Sequence, residues 1–115
     1  MEAEQFFRAL CDTTRLRMLV LLTREGELCV CELTRALNEI QPKISRHLAQ
    51  LREIGVVFDR RQGQLIYYRL SPDLPEWAQT VLAATTEGVR GQSPFEKDRQ
   101  SLMDMPNRPE NTCCA

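Results

Sequence analysis

A mostly helical α+β fold is what the 115-residue sequence predicts, and three observations carry that prediction. Apolar residues recur at helical spacing in four stretches ahead of Gly55. Two short runs rich in β-branched and aromatic residues, Val56-Val57-Phe58 and Leu65 to Leu70, come next, and another helical stripe opens after Ser71-Pro72. A chain of this length, 43% hydrophobic, has material for one compact domain and not two.

The elements follow in order. Glu2 to Leu10 sets Ala3, Phe6, Phe7 and Leu10 on one helical face, and Asp12 caps a second helix whose inward stripe is Leu16, Leu19, Val20 and Thr23, closed by Gly26. A short third helix is expected from about Val30 to Leu37, with Leu33 and Leu37 inward, and Asn38 and Pro42 bracket the turn into a fourth, Pro42 to Glu53, striped by Ile44, Leu48 and Leu51. Two short helices joined by a tight turn make a helix-turn-helix. The two strands close a hairpin through Asp59 to Gln64, a basic tip suited to act as a wing. A last helix from Ser71-Pro72 to about Gly88 presents Leu74, Trp77, Val81, Leu82 and Thr85, and the first and last helices offer apolar faces for a dimer interface. Residues 1–90 therefore read as a winged helix-turn-helix DNA-binding and dimerisation domain, and 91–115 as a flexible tail carrying Cys113-Cys114.

Net charge is only -1, yet from Arg35 to Arg69 seven Lys/Arg face three acids, which leaves +4 on that segment and -5 on the rest. In the second helix of a helix-turn-helix the outward residues near its start meet DNA; here these are Gln41, Lys43, Ser45, Arg46 and His47, joined by Arg60 and Arg61 of the wing. Double-stranded operator DNA and a second copy of the chain are the expected partners. No apolar run reaches the roughly 18 residues of a membrane span, and Met1-Glu2-Ala3-Glu4 lacks the layout of a signal peptide, so a cytoplasmic location is expected. No acid pair, nucleophile and base, or phosphate loop suggests an enzyme or an organic cofactor.

Five cysteines, at 11, 29, 31, 113 and 114, suit soft-ion ligation better than an extracellular disulfide framework. Cys29 and Cys31 fall at the start of the third helix, where the dipole favours a thiolate and Glu27 and Glu32 oppose it. Residues two apart in a helix diverge by about 200 degrees, so one ion engages both sulfurs only if Cys29 is non-helical or the first turn is distorted. Two thiols leave a trivalent metalloid one donor short, and Cys113, Cys114, Cys11 or a small free thiol can supply it; two-coordinate binding is the remaining option.

Glu27-Leu28-Cys29-Val30-Cys31-Glu32-Leu33 and Gln41-Pro42-Lys43-Ile44-Ser45-Arg46-His47-Leu48-Ala49-Gln50-Leu51-Arg52-Glu53-Ile54-Gly55 together resemble the winged helix-turn-helix metalloregulators of the ArsR/SmtB family, most closely its arsenical-resistance operon repressors. The resemblance covers roughly Phe7 to Leu82. It implies a homodimeric repressor released from operator DNA when trivalent arsenic or antimony binds cysteine thiolates. The best-known arsenic pattern carries a third cysteine at the position of Thr34, and the Cys-Val-Cys stretch is similar to that of cadmium and lead sensors as well. A cadmium- or lead-responsive repressor, or one gated by thiol oxidation, is the alternative.

Overall fold

The computed structural model describes residues 1–106. Its elements are α1 (Ala3–Leu10), α2 (Thr13–Glu25), β1 (Glu27–Cys29), α3 (Val30–Leu37), α4 (Gln41–Glu53), β2 (Val57–Gln62), β3 (Leu65–Leu70), α5 (Glu76–Gly88) and α6 (Phe95–Met103). The strands form one antiparallel sheet in the order β1-β3-β2. No helix among the described residues is long and apolar enough to cross a membrane.

Helix α2 organises the rest. Asp12 caps it, its carboxylate accepting the N–H groups of Thr14 at 2.9 Å and Arg15 at 3.4 Å, and Gly26 ends it at φ 88°, where a side chain would be strained. The expected stripe of Leu16, Leu19, Val20 and Thr23 is too narrow: Met18, Leu19, Val20, Leu21 and Leu22 are all buried, while Leu16 and Thr23 are only partly so. A helix buried all round is wrapped by other elements, and α2 touches every other helix as well as β1 and β3.

Asn38 ends α3 in the left-handed region at φ 54°, and Pro42 stands in the first turn of α4, where its missing N–H costs nothing. Ile44, Leu48 and Leu51 enter the core as the spacing predicts, and Gly55 at φ 87° turns the chain into the sheet. The hairpin is tighter than expected. Strand β2 runs on through Arg60, Arg61 and Gln62, so the turn is Gly63-Gln64 and both arginines stand on a strand instead of at the tip. Helix α5 begins at Glu76, five residues beyond Ser71, with Leu74 already buried ahead of it.

Two elements lie outside the sequence expectation. One is β1, whose three residues pair with Arg69, Tyr68 and Tyr67 of β3. The other is α6, on chain expected to be flexible from residue 91. It packs on α2 and α3, burying Leu102 completely and Asp98 to 1% exposure. The Asp98 carboxylate accepts from Arg17 Nε at 2.8 Å and Nη2 at 2.6 Å, and the same Nη2 donates to the carbonyl of Leu37 at the end of α3. The side-chain hydrogen bond to Asp98 raises Arg17 above its ordinary range, outweighing partial burial. Removing Asp98 leaves the largely covered Arg17 charge without its partner, so Asp98→Ala is expected to lower the unfolding free energy by about 3 kcal/mol. Urea denaturation checks this, and an unchanged midpoint would show that α6 is not held by the pair.

Candidate functional site

Cys29 is both the last residue of β1 and the N-cap of α3, with extended backbone at φ -83° and ψ 164°, while Cys31 lies within the first helical turn. The break in helical geometry between them cancels the divergence expected of residues two apart, and their Sγ atoms stand 3.0 Å from each other. Cys31 is disulfide-bonded in this structure, and once it is reduced two sulfurs so placed can face one soft ion.

Glu32 builds this corner. Its Oε1 accepts the Cys29 N–H at 2.8 Å while the Cys29 side chain accepts the Glu32 N–H, a capping box with sulfur where an oxygen usually sits. Glu32 is 1% exposed and Cys29 fully buried. Burial pushes the Cys29 thiol above its usual value; N–H bonds from Glu32 and Cys31 pull it down, and the Glu32 carboxylate raises it again. The net shift is upward, so burial and the carboxylate outweigh the helix terminus.

Among the described residues no group of three or more His, Cys, Asp or Glu forms a metal-holding cluster, so Cys11, exposed at the end of α1, is not assembled with Cys29 and Cys31 into one. Thr34, at the position of the third cysteine in the arsenic pattern, donates its hydroxyl to the Val30 carbonyl at 2.8 Å. Cys113 and Cys114 lie outside the described residues.

On α4, Gln41, Ser45 and Arg46 are exposed, and Lys43 is partly covered and paired with Glu39 at 3.1 Å. His47 departs from the expectation of DNA contact. It is 7% exposed and turned inward, its Nδ1 3.4 Å from Arg15 Nη1 and its Nε2 3.9 Å from Asp12 Oδ2. Arg15 also donates to the carbonyls of Ala9 and Arg8 and to Gln50 Oε1, so one guanidinium fastens the end of α1 to α4. Burial raises the Asp12 carboxyl, but the cap bonds and the nearby His47 and Arg15 charges hold it below its ordinary value overall.

In the wing, Arg61 is exposed and makes no hydrogen bond or ion pair among the described residues, whereas Arg60 is held by Glu27 through two bonds of 2.8 and 2.7 Å. On another side of the molecule Phe6 lies edge-on to Phe7 and Trp77, and Phe7 and Trp77 remain 51% and 41% exposed, an aromatic patch shared by α1 and α5.

The capping role of Glu32 and the inward turn of His47 escaped the sequence reading, though each left a trace. Cys29-x-x-Glu32 has capping-box spacing, and Ile44, His47, Leu48, Leu51 fit an i, i+3, i+4, i+7 stripe that places the histidine inside. Glu32→Ala leaves the buried Cys29 N–H without its acceptor and is expected to cost about 2 kcal/mol. Chemical denaturation reads that loss, and an unperturbed variant would mean that the box contributes nothing.

The sequence profile described as "Bacterial regulatory protein, arsR family" matches residues 12–58. The chain is 51% identical over 110 residues to the arsenic resistance transcriptional regulator ArsR1 of Pseudomonas putida, covering 95% of this chain and 84% of that protein. It is 55% identical over 78 residues to the arsenical resistance operon repressor of Escherichia coli, covering 68% of this chain and 67% of that one. Its fold is similar to the crystal structure of the AntR antimony-specific transcriptional repressor, with a TM-score of 0.63, 28% identity and 74% of each chain covered.

Proposed function

The chain belongs to the arsR family of bacterial regulatory proteins, and from that premise we propose that it is a transcriptional repressor that binds operator DNA as a homodimer and leaves it when trivalent arsenic or antimony binds Cys29 and Cys31. One observation carries the reading: two sulfurs 3.0 Å apart at the N-cap of α3, the helix that leads into α4.

Arsenite ligation exchanges bonds one for one. Each thiol S–H and each As–OH gives an As–S bond and a water molecule. The As–S bond takes the place of S–H and turns the Cys29 sulfur towards the arsenic and away from the Glu32 N–H, so the first turn of α3 loses its cap. Helix α3 turns at Asn38 into α4, whose exposed Gln41, Ser45 and Arg46, with Lys43 beside them, serve as the reading surface. Movement of α3 therefore re-aims α4, and a dimer that must match two half-sites loses affinity. The Phe7 and Trp77 patch of α1 and α5 is the surface for that dimer. A third donor comes from Cys113, Cys114, Cys11 or a small free thiol.

Fluorescence anisotropy of a labelled duplex from the protein's own promoter, titrated with reduced protein and then with arsenite, tests this. Release is expected for the intact chain, and comparison with a chain truncated before Cys113 assigns the third donor. Operator affinity indifferent to arsenite would sink the reading, and release by peroxide alone would favour thiol oxidation.

The raised Cys29 thiol separates metalloid from divalent metal. Arsenite takes the thiol proton away in water, so its affinity is expected to stay flat between pH 6 and pH 8. Cadmium or lead must expel that proton to solvent, so affinity climbs as pH rises towards the thiol's raised value, by up to about tenfold per unit for this one sulfur. Competition titrations at several pH values read the difference.

A further inference from the structure

In the sheet order β1-β3-β2, Tyr67 of β3 is paired with Cys29 on one side and Arg60 on the other, and Arg69 is paired with Glu27 and Phe58. Residues opposite one another share a face of a sheet, so Glu27 and Arg60 look out on the same side with Tyr67 between them. The Arg60 guanidinium lies over the Tyr67 ring at 4.6 Å. Its Nε donates to Glu27 Oε2 at 2.8 Å, its Nη2 to Glu27 Oε1 at 2.7 Å, and its Nη1 to Gln62 Oε1 at 2.7 Å. A tyrosine face below, a carboxylate on one edge and an amide beside it fix this guanidinium although it stands near solvent.

A two-point fork of parallel N–H donors is how arginine grips a carboxylate, and it is equally how it grips a phosphate. We propose that Glu27 is an intramolecular stand-in for a DNA phosphate, a positioning residue that occupies the gripping edge of Arg60 and must be displaced before the wing closes on the duplex backbone. Arg61 has no such competitor among the described residues, so the two adjacent arginines differ in role: Arg61 meets DNA first, and Arg60 follows only when Glu27 yields. Glu27 opens the strand that ends at the Cys29 cap, so the pair also links the wing to the sulfur corner.

The inference rests on the proposed function only in placing the wing against duplex DNA. It is tested on a labelled random-sequence duplex without arsenite, so its failure is distinguishable from failure of the operator or metalloid readings. Affinity is measured by anisotropy across a series of KCl concentrations for the full chain, Glu27→Gln, Arg60→Gln and the double variant, with unfolding midpoints as a control on folding. Freeing Arg60 adds a phosphate contact, so Glu27→Gln is expected to steepen the slope of log K against log salt by about 0.9 per protomer. Affinity at low salt should rise about three- to fivefold, the order set by an exposed ion pair. In the Arg60→Gln background the Glu27→Gln change should have no effect on the slope. Glu27→Asp retains the charge but draws the carboxylate back by a methylene, and it too should steepen the slope. Steepening by Gln but not Asp would replace the stand-in with general charge repulsion. An unchanged slope, or weaker binding, in Glu27→Gln would overturn the proposal and make Glu27 a brace.

Discussion

From Met18 to Leu22 helix α2 has no face left for solvent, and the placement of every other element follows from that constraint. Two helices of the reading unit, the sheet and the aromatic patch of α1 and α5 are all positioned by contact with the same rod. A close-packed interior has few continuous deformations. On the proposed function, displacement of α3 is passed outward, to α4 through the Asn38 turn and to the sheet through β1, because α2 behind it is packed on all sides.

Charge is used inside the molecule as much as on its surface. Arg15 closes the end of α1, Arg17 closes the end of α3 while holding α6, and Asp12 opens α2. These groups meet backbone dipoles at helix ends, where a full charge stabilises most. The basic segment from Arg35 to Arg69 is correspondingly less free than its composition suggests: Lys43 faces Glu39, Arg52 faces Asp59 and Arg60 faces Glu27. Arg46 and Arg61 keep their charge turned to solvent.

Helix α3 is legible in the sequence to the residue, because an extended Cys29 and a left-handed Asn38 bracket a strong apolar stripe. Strand β3 is equally plain, its six residues being mostly aromatic or branched. What escaped depends on partners distant in the chain. Helix α6 reads as polar linker until Asp98 meets Arg17, 81 residues away, and β1 is too short to show any alternation before β3 lies beside it. At the site, the cysteine pair and the exposed positions of α4 are visible as residue types, whereas the inward turn of His47 and the capture of Arg60 by Glu27, 33 residues apart, arise only from packing. Local spacing finds elements and candidate ligands; it does not find which charges are already spoken for.

The position of Cys29 bears on how such a protein drifts. An N-cap favours serine, threonine, aspartate or asparagine, and a single nucleotide separates a cysteine codon from a serine codon. Serine at this corner can accept the Glu32 N–H just as the sulfur does, and it is useless to a thiophilic ion. The cap by itself thus does not require the sulfur. On the proposed function, a chain with serine at this corner keeps the cap and loses the response to the metalloid, so the ion and not the cap is what calls for a cysteine here.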